Sequence, residues 1–412
     1  MKTVLAALVS LVLVAPVLAQ DWPQWRGPGR DAVAKGFEVP SDWPENLTKK
    51  WSTEVGDGVA TPALVGDRLY VHARQGGDEV IRCLDAATGE EIWQNKYATP
   101  GVGGAASGFP GPRCSPAVAE GKVVTLGVHG TTSCLDAETG KVLWRKNDYE
   151  GAEPRFATSA SPMIVDGLAV FLLGDDRRGG LVAYDLASGE AKWKWEDDGA
   201  AYASPVLMTV NGVKSIVTPT AGNLAIVALA DGKTVWMGRY TQGRYNATTP
   251  LVIGETVIYA GEGEGTTAEK FFKKDDEYTS EYVWQNGDNS LMYNSPVLKE
   301  KHFYGLSNAN KLFCVDVTSG KTTWSADLPS SDDGGGGRGR GRGGYGSVVD
   351  AGSVLVALSP AGNLVVYEAD AAEYKQLAVY KVASGGTYAY PVLSGNRIFI
   401  KDSDAVTLWT VE

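Results

Sequence analysis

The stretch DAATGEEIW at residues 85–93 decides the fold, because it returns as DAETGKVLW at residues 136–144. The same spacing from Asp to Trp recurs at residues 185–193, 276–284 and 316–324. In such a turn the Asp and Thr side chains satisfy backbone N–H groups, while Gly adopts the left-handed conformation. A Trp after the turn is large enough to wedge between neighbouring structural units, with its N–H near a partner. We therefore predict a repeated strand–turn–strand unit that is held to its neighbour by Trp.

The repeat extends over most of the chain and has a second landmark, a Ser-Pro or Thr-Pro pair that begins six of the units. Ser347-Val348 and Tyr390-Pro391 continue this landmark in weaker form. Pro391 follows Pro62 by 329 positions in seven periods, so the mean period is 47 residues, which is typical of propeller blades. The Ala228–Trp236 pair keeps the spacing without the Asp. The predicted blade-forming residues are Trp51, Asp85, Trp93, Asp136, Trp144, Asp185, Trp193, Trp236, Asp276, Trp284, Asp316 and Trp324.

These patterns predict an all-β protein, an eight-bladed β-propeller of four-stranded antiparallel blades. Eight positions share the outer-strand place, beginning with Trp51 and ending with Tyr380. The final repeat stops after its third strand, so an N-terminal strand within residues 47–55 is predicted to complete the C-terminal blade. This pairing would close the ring without an open sheet edge.

The motif Asp-Ala-x-Thr-Gly-x-x-x-Trp resembles the PQQ-like propeller repeat family, which includes quinoprotein alcohol dehydrogenases and BamB-type outer-membrane assembly proteins. The resemblance covers residues 51–412, and residues 21–28 resemble the leader of secreted members from planctomycete-type bacteria. It implies the fold but no activity, because the repeat holds blades together and carries no chemistry. A quinoprotein member would hold PQQ with calcium beneath an adjacent Cys-Cys pair, and this sequence contains no such pair.

The N-terminus is typical of an export signal. Lys2 is followed by an apolar run of about 16 residues, which is short for a membrane span. The small residues up to Ala19 fit cleavage before Gln20, so residues 1–19 are predicted to be a signal peptide. No Cys follows the run, so we expect a periplasmic or secreted protein that is not a lipoprotein and has no membrane span. The net charge of −11 argues against nucleic acid as a partner, and a monomer is expected.

Two segments stand outside the repeat. Residues 20–46 are predicted to form a leader that clasps the propeller, which itself occupies residues 47–412. Within the propeller, residues 328–346 are rich in Gly and Arg and cannot bury a core, so they are predicted to form a disordered loop. Arg-Gly tracts also bind RNA and other polyanions, but a solvated loop is the better interpretation in an acidic exported protein.

The cysteines and histidines form no catalytic or metal-binding pattern. Cys83, Cys134 and Cys314 occupy equivalent positions of different repeats, too far apart for disulfides, so mostly buried thiols are predicted. The three histidines fall in different repeats without metal-ligand spacing. No catalytic residues and no metal ligands are therefore predicted.

The candidate ligand-binding residues lie in the loops at one face of the predicted propeller, around the central channel. Arg and Tyr commonly anchor binding surfaces. The alternative is that these side chains pack against one another and fill the channel. Residues 104–112 lie beside this face and are predicted to form a flexible lid. The candidates are Arg113, Arg155, Tyr202, Arg244, Asn246, Tyr293, Asn294, Tyr345 and Tyr388.

The sequence predicts a non-enzymatic binding or scaffold propeller of the cell envelope, with an unknown protein or glycan as its partner. The structural motifs are complete, and no catalytic set is recognisable beside them. Two alternatives stay open. One is a PQQ-dependent oxidoreductase with calcium, and the other is an outer-membrane protein assembly module.

Overall fold

The computed structural model describes residues 20–240, 245–261, 263–329 and 345–412. Within them, eight four-stranded antiparallel sheets form the blades of a ring, and a single short 3₁₀ helix (Gly104–Ala106) interrupts the strands. The all-β, eight-bladed prediction is confirmed. No helix of these described segments has the length and apolar character needed to cross a bilayer.

The first strand, β1 (Thr48–Glu54), precedes the four strands of blade 1. Blade 1 consists of β2 (Ala63–Val65), β3 (Arg68–Gln75), β4 (Asp78–Asp85) and β5 (Glu91–Ala98). Blade 2 consists of β6 (Ala117–Ala119), β7 (Lys122–Leu126), β8 (Thr132–Asp136) and β9 (Val142–Lys146). Blade 3 consists of β10 (Met163–Val165), β11 (Leu168–Gly174), β12 (Gly179–Asp185) and β13 (Ala191–Trp195). Blade 4 consists of β14 (Val206–Val210), β15 (Val213–Pro219), β16 (Asn223–Ala228) and β17 (Thr234–Arg239).

The second half of the ring repeats this order. Blade 5 consists of β18 (Leu251–Ile253), β19 (Thr256–Gly261), β20 (Gly265–Lys274) and β21 (Glu277–Asn286). Blade 6 consists of β22 (Val297–Lys299), β23 (His302–Leu306), β24 (Lys311–Asp316) and β25 (Thr322–Asp327). Blade 7 consists of β26 (Ser347–Asp350), β27 (Val354–Leu358), β28 (Asn363–Glu368) and β29 (Gln376–Lys381). Blade 8 contains β30 (Val392–Ser394), β31 (Arg397–Lys401) and β32 (Ala405–Thr410).

Blade 8 is completed by β1, which confirms the predicted closure. Its strand order is β1-β32-β31-β30, and β1 pairs antiparallel with β32. The hydroxyl groups of Ser52 and Thr407 lie 2.8 Å apart across this pair. The first strands of neighbouring blades contact one another around the channel, so the first strand is the innermost of each blade.

The repeated turn joins the third and fourth strands of a blade, as blade 2 illustrates. The Oδ1 atom of Asp136 accepts hydrogen bonds from the backbone N–H groups of Glu138 (3.1 Å) and Thr139 (2.8 Å), and from the Thr139 hydroxyl (2.7 Å). The Thr139 hydroxyl and N–H stabilise the carboxylate and so lower the pKa of Asp136. Gly140 follows at a φ of +70°, a conformation that favours glycine.

In six of the blades, the Trp of the outermost strand lies against the corresponding turn of the next blade. Trp93 Nε1 donates to the carbonyl of Ala137 at 3.1 Å, and a Cβ atom added to Gly140 would lie only 2.4 Å from the indole ring. The glycine therefore makes room for the indole, and the indole N–H holds the neighbouring turn. Equivalent bonds run from Trp51 to Ala86, Trp144 to Leu186, Trp193 to Leu229, Trp284 to Val317 and Trp324 to Asp370.

Blade 5 departs from the repeated turn. Its β20–β21 hairpin is closed by two residues with positive φ, Asp275 (+49°) and Asp276 (+68°). The Asp276 side chain is exposed and lies 3.0 Å from Lys273 Nζ, so it does not have the role of Asp136. Without a glycine turn in blade 5, the Trp236 ring packs edge-on against Phe271 at 4.7 Å.

The prediction that Tyr380 takes the Trp position in the outer strand of blade 7 is wrong. In other blades the Trp pairs with the residue just before a β-bulge, and in blade 7 the residue at that register is Ala378, not Tyr380. Tyr380 lies two residues further along, and its hydroxyl donates to the carbonyl of Pro44 at 2.7 Å. The Tyr380 ring also lies 6.3 Å from Trp43. Sequence spacing could not predict this arrangement, because Tyr380 contacts Trp43 and Pro44 of the leader and not the turn of a neighbouring blade.

All four cysteines are buried free thiols, as predicted. Burial raises the pKa of Cys83 to about 11 and that of Cys134 to about 12, so these thiols stay protonated at neutral pH. His72 is also fully buried, with Nε2 lying 3.4 Å from a Glu79 carboxylate oxygen. These side chains belong to the packed interior of the blades.

The leader crosses one end of the channel, where the first strands of the blades finish. Trp22 exchanges two backbone hydrogen bonds with Leu64 of β2, at 2.8 and 2.9 Å. The Pro23 carbonyl accepts from Val118 of blade 2, and Ala34 N–H donates to Asp350 of blade 7. The leader thus joins blades on different sides of the ring and covers this end, called below the lower end.

Candidate functional site

A partial ring of hydroxyl groups surrounds the channel where blades 1 to 6 begin, at the Ser/Thr-Pro positions of the repeat. In each case a backbone N–H donates to the hydroxyl of the next blade. The donor–acceptor pairs are Thr61–Ser115 (3.0 Å), Ser115–Ser161 (3.0 Å), Ser161–Ser204 (2.9 Å), Ser204–Thr249 (2.9 Å), Thr249–Ser295 (3.0 Å) and Tyr390–Thr61 (2.9 Å). A hydroxyl that accepts such a bond still has its own hydrogen to donate.

A cavity of about 540 Å³ lies over this hydroxyl ring, and aromatic side chains form its walls. The first aromatic wall is the triad Phe156, Tyr202 and Tyr245. The Phe156 ring centroid lies 4.9 Å from that of Tyr245 and 6.2 Å from that of Tyr202. The Tyr202 hydroxyl accepts a hydrogen bond from the Phe156 N–H at 3.4 Å, and burial raises the pKa of Tyr202.

The second aromatic wall is a chain of four rings contributed by other parts of the propeller. Phe109 lies edge-on to Tyr388 at 5.0 Å, and Tyr388 is 5.1 Å from Tyr345. Tyr345 stacks on Tyr293 at 4.4 Å with an interplanar angle of 24°. The aromatic side chains do pack against one another, as the alternative interpretation held, but they leave a cavity of ligand size between the walls.

Trp25 of the leader lines the same cavity, from the lower end of the channel, and provides its floor. The guanidinium groups of Arg26 and Arg30 each lie 5.4 Å from the Trp25 ring. Arg26 Nη2 donates to the Pro296 carbonyl of blade 6 at 2.5 Å, and Arg30 Nη1 donates to the Pro162 carbonyl of blade 3 at 2.7 Å. The leader therefore braces distant blades and turns an open channel into a pocket closed on one side.

Arg113 lines the cavity wall and organises the predicted lid. Its Nη2 atom donates to the Phe109 carbonyl at 2.9 Å, and its Nη1 atom donates to the Gly111 carbonyl at 3.3 Å. Burial lowers the pKa of Arg113. Residues 104–112 contain the short 3₁₀ helix, and Phe109 brings this stretch into the cavity wall.

Six of the nine candidate residues line the cavity: Arg113, Tyr202, Tyr293, Asn294, Tyr345 and Tyr388. Asn246 is buried behind it and donates to the Thr220 carbonyl at 2.7 Å, which anchors a loop. Arg155 is exposed and lies over the Phe156 ring at 5.5 Å, outside the lining. Arg244 and residues 330–344 of the Gly/Arg-rich segment lie outside the described residues.

Sequence reasoning missed several lining residues. Phe156 and Tyr245 adjoin predicted positions and could have been included by the same argument. Trp25 carries no such signal, because nothing in the leader sequence shows that it enters the channel. Tyr390 was recognised only as a weak member of the blade repeat, yet its ring also lines the cavity.

The described part of the cavity lining does not fit a quinone held with calcium. Calcium takes oxygen ligands with carboxylates prominent among them, and no Asp or Glu occurs among the described lining residues. Elsewhere in the described segments, no group of three or more His, Cys, Asp or Glu side chains could hold a metal ion. The chemistry that the site offers is aromatic stacking, hydrogen bonding by hydroxyl groups and positive charge.

Comparison with known proteins places these features in context. The sequence profile of a family described as outer membrane protein assembly factor BamB matches residues 77–326. The outer membrane protein assembly factor BamB of Shewanella oneidensis is 24% identical over 353 residues, covering 79% of this chain and 80% of that protein. The quinohemoprotein alcohol dehydrogenase of Comamonas testosteroni is 29% identical over 189 residues, covering 44% of this chain but only 25% of the dehydrogenase.

Solved structures show the same fold. The crystal structure of BamB from Moraxella catarrhalis superposes with a TM-score of 0.64 and 16% sequence identity. The superposition covers 88% of this chain and 97% of that one. At this identity the likeness shows a shared propeller and nothing of the ligand, so the function has to be argued from the cavity.

Proposed function

Because the chain belongs to the family of the outer membrane protein assembly factor BamB, we propose that it is an exported, non-enzymatic binding propeller of the cell envelope. The cavity between the two aromatic walls captures a ring-shaped ligand and performs no reaction on it. The observation that carries this proposal is the cavity of about 540 Å³ that Trp25 closes from below. A pocket of this size, with one open end, suits a small ligand or the end of a longer chain.

The ligand class that this lining favours is carbohydrate. Aromatic side chains offer flat apolar faces on which the C–H face of a sugar ring can pack. The hydroxyl ring beneath them offers O–H donors at regular intervals around the channel. A sugar presents hydroxyl groups at its edges and C–H groups on its faces, and therefore matches both parts of the site.

A glycan array followed by calorimetric titration tests this proposal. The mature protein should bind at least one oligosaccharide saturably, near one equivalent. Phe156→Ala removes the ring that contacts both Tyr202 and Tyr245, and it should weaken binding by about tenfold, as loss of an aromatic anchor commonly does. The matched control is Tyr282→Ala, because Tyr282 is 65% exposed on an outer strand away from the cavity.

If no glycan binds at millimolar concentration, or if both variants bind as the wild type does, the cavity is not a carbohydrate site. The same titration with PQQ, with and without calcium, tests the oxidoreductase alternative. We expect no saturable heat, since the described lining lacks carboxylates. A quinone bound at one equivalent only with calcium would overturn the non-enzymatic proposal.

The assembly-module alternative rests on the family profile and on the names of the relatives. It requires a protein partner, and affinity capture from envelope extract would identify one. A reproducible outer-membrane partner whose binding survives Phe156→Ala would favour assembly over ligand capture.

A further inference from the structure

The floor of the cavity rests on two buried positive charges that lack a carboxylate partner. Arg26 is 0% exposed and Arg30 is 5% exposed, and within the described segments neither forms an ion pair. Both donate to backbone carbonyls, but Arg26 Nε and Nη1 and Arg30 Nε have no hydrogen-bond partner in the described part of the protein. Buried charges are normally paired, because removal from water without a counter-charge is unfavourable.

Burial, followed by the nearby charge of Arg26, lowers the pKa of Arg30 to about 9. Arg30 is therefore still cationic at pH 7. Cation–π contact with Trp25 and bonds to carbonyls account for the position of the two guanidinium groups. These contacts do not neutralise the positive charge of the two guanidinium groups. Their electrostatic potential therefore favours a negatively charged group on the cavity side of Trp25.

A third cation, Arg113, stands in the cavity wall itself. The Glu79 carboxylate acts on Arg113 electrostatically, but its own oxygens are bound by the Tyr97 hydroxyl and the Val128 N–H. The described lining thus contains a cation and no acid, within a protein whose net charge is −11. A cleft with one sign of charge and apolar walls concentrates the field and attracts the opposite charge.

From this arrangement we infer that the cavity selects an anionic sugar, one whose ring lies between the aromatic walls and whose acid group meets Arg113 and the hydroxyl ring over the Trp25 floor. This inference rests on the proposed carbohydrate function and narrows it to acidic glycans. Uronic acids and sulfated sugars share the required chemistry, a sugar ring that carries a fixed negative charge. The hydroxyl groups of Ser115 and Ser204 also line the cavity and offer neutral donors to the bound sugar.

The test compares sugars that differ only in charge. The probes are trisaccharides of galacturonic acid and of glucuronic acid, each titrated beside its methyl ester, and a sulfated disaccharide beside its desulfated form. The wild type should bind the acidic form about tenfold to a hundredfold more tightly than the neutral form, the range expected for hydrogen bonds to a charged group. Raising the salt concentration should reduce that ratio without any mutation.

Arg113→Gln should bring the ratio of affinities close to one, and melting temperature would show whether the variant is folded. Its matched control is Arg177→Gln, because the Arg177 side chain is 89% exposed and lies outside the cavity lining. The control should keep the preference of the wild type. If Arg113→Gln fails to fold, the salt dependence of the wild-type ratio carries the same information.

Two results would overturn the inference of charge selection, and only the second would also overturn the proposed carbohydrate function. If the wild type binds acidic and neutral sugars equally, the cavity does not select by charge, and the carbohydrate function stands. If neither form of any sugar binds, the carbohydrate function and the inference fail together.

Discussion

Replacing Gly140 by alanine tests whether the contact between Trp93 and the neighbouring turn holds the blades together. The added Cβ would lie 2.4 Å from Cε3 of the indole, so the ring or the turn must move. A matched control exists in the same blade. Gly121 has nearly the same φ, +69° against +70°, but a Cβ there meets nothing within 4 Å.

Both variants place alanine in the left-handed region, but only Gly140→Ala also brings a methyl group against the indole ring. An alanine in the left-handed region costs about 1–2 kcal/mol, and this applies to Gly121→Ala and Gly140→Ala alike. Forcing a methyl group into a packed contact costs about 1–3 kcal/mol more. We therefore expect Gly121→Ala to lower the free energy of unfolding by about 1–2 kcal/mol and Gly140→Ala to lower it by about 2–5 kcal/mol.

Urea unfolding followed by Trp fluorescence and by circular dichroism measures both changes. The slope of free energy against urea concentration should match the wild type in both variants, so that the midpoints can be compared directly. Equal losses in the two variants would refute the reasoning, because they would mean that the indole contact adds nothing to blade cohesion.

Three further changes have expected outcomes. Ser204→Ala leaves the buried Ser161 N–H without an acceptor and should cost about 1–3 kcal/mol in urea unfolding; an unchanged midpoint would mean that the hydroxyl ring is dispensable. Trp144→Phe removes the indole bond to the Leu186 carbonyl and should cost about 1–3 kcal/mol, whereas an equally stable variant would show that ring packing alone suffices. Burial lowers the pKa of Lys401 to about 8, so between about pH 8 and 10.5 the unfolded chain carries a proton that the folded chain lacks. The free energy of unfolding of the wild type, relative to Lys401→Met, should therefore rise with pH in that window, and a flat or falling difference would contradict it.

The fold was predictable because its determinants are local and repeated. The Asp–Thr–Gly turn and the Trp lie within nine residues of sequence, so each repeat carries the information for its own blade and for the contact with the next. Closure by β1 was also predictable, since a three-stranded last blade and an unassigned N-terminal strand leave one solution. The spacing of the motif gave the wrong role for two residues. Asp276 lies in a longer hairpin that lacks the repeated turn. Tyr380 contacts the leader and does not take the place of a Trp.

The cavity was predictable only in part. Loop position on one face located Tyr202, Tyr293 and Tyr388, because every blade presents its loops around the same channel. The Trp25 floor was beyond reach, since it depends on contacts between Arg26 and Pro296 that are 270 residues apart and follow no repeat. Long-range contacts by a segment outside the repeat leave no periodic signal in a single sequence.

Closure through β1 has a consequence for the order in which the protein is made. Ser52 and Thr407 are partners although 355 residues separate them, so ribosomal synthesis delivers one long before the other. During that interval β1 has no partner, and the leader cannot bind the Pro296 carbonyl until blade 6 has emerged. Exposed strands pair readily with other chains and are open to proteases. A chain whose translation stops before β32 therefore keeps β1 unpaired and exposed. Only a chain translated through β32 can close the ring.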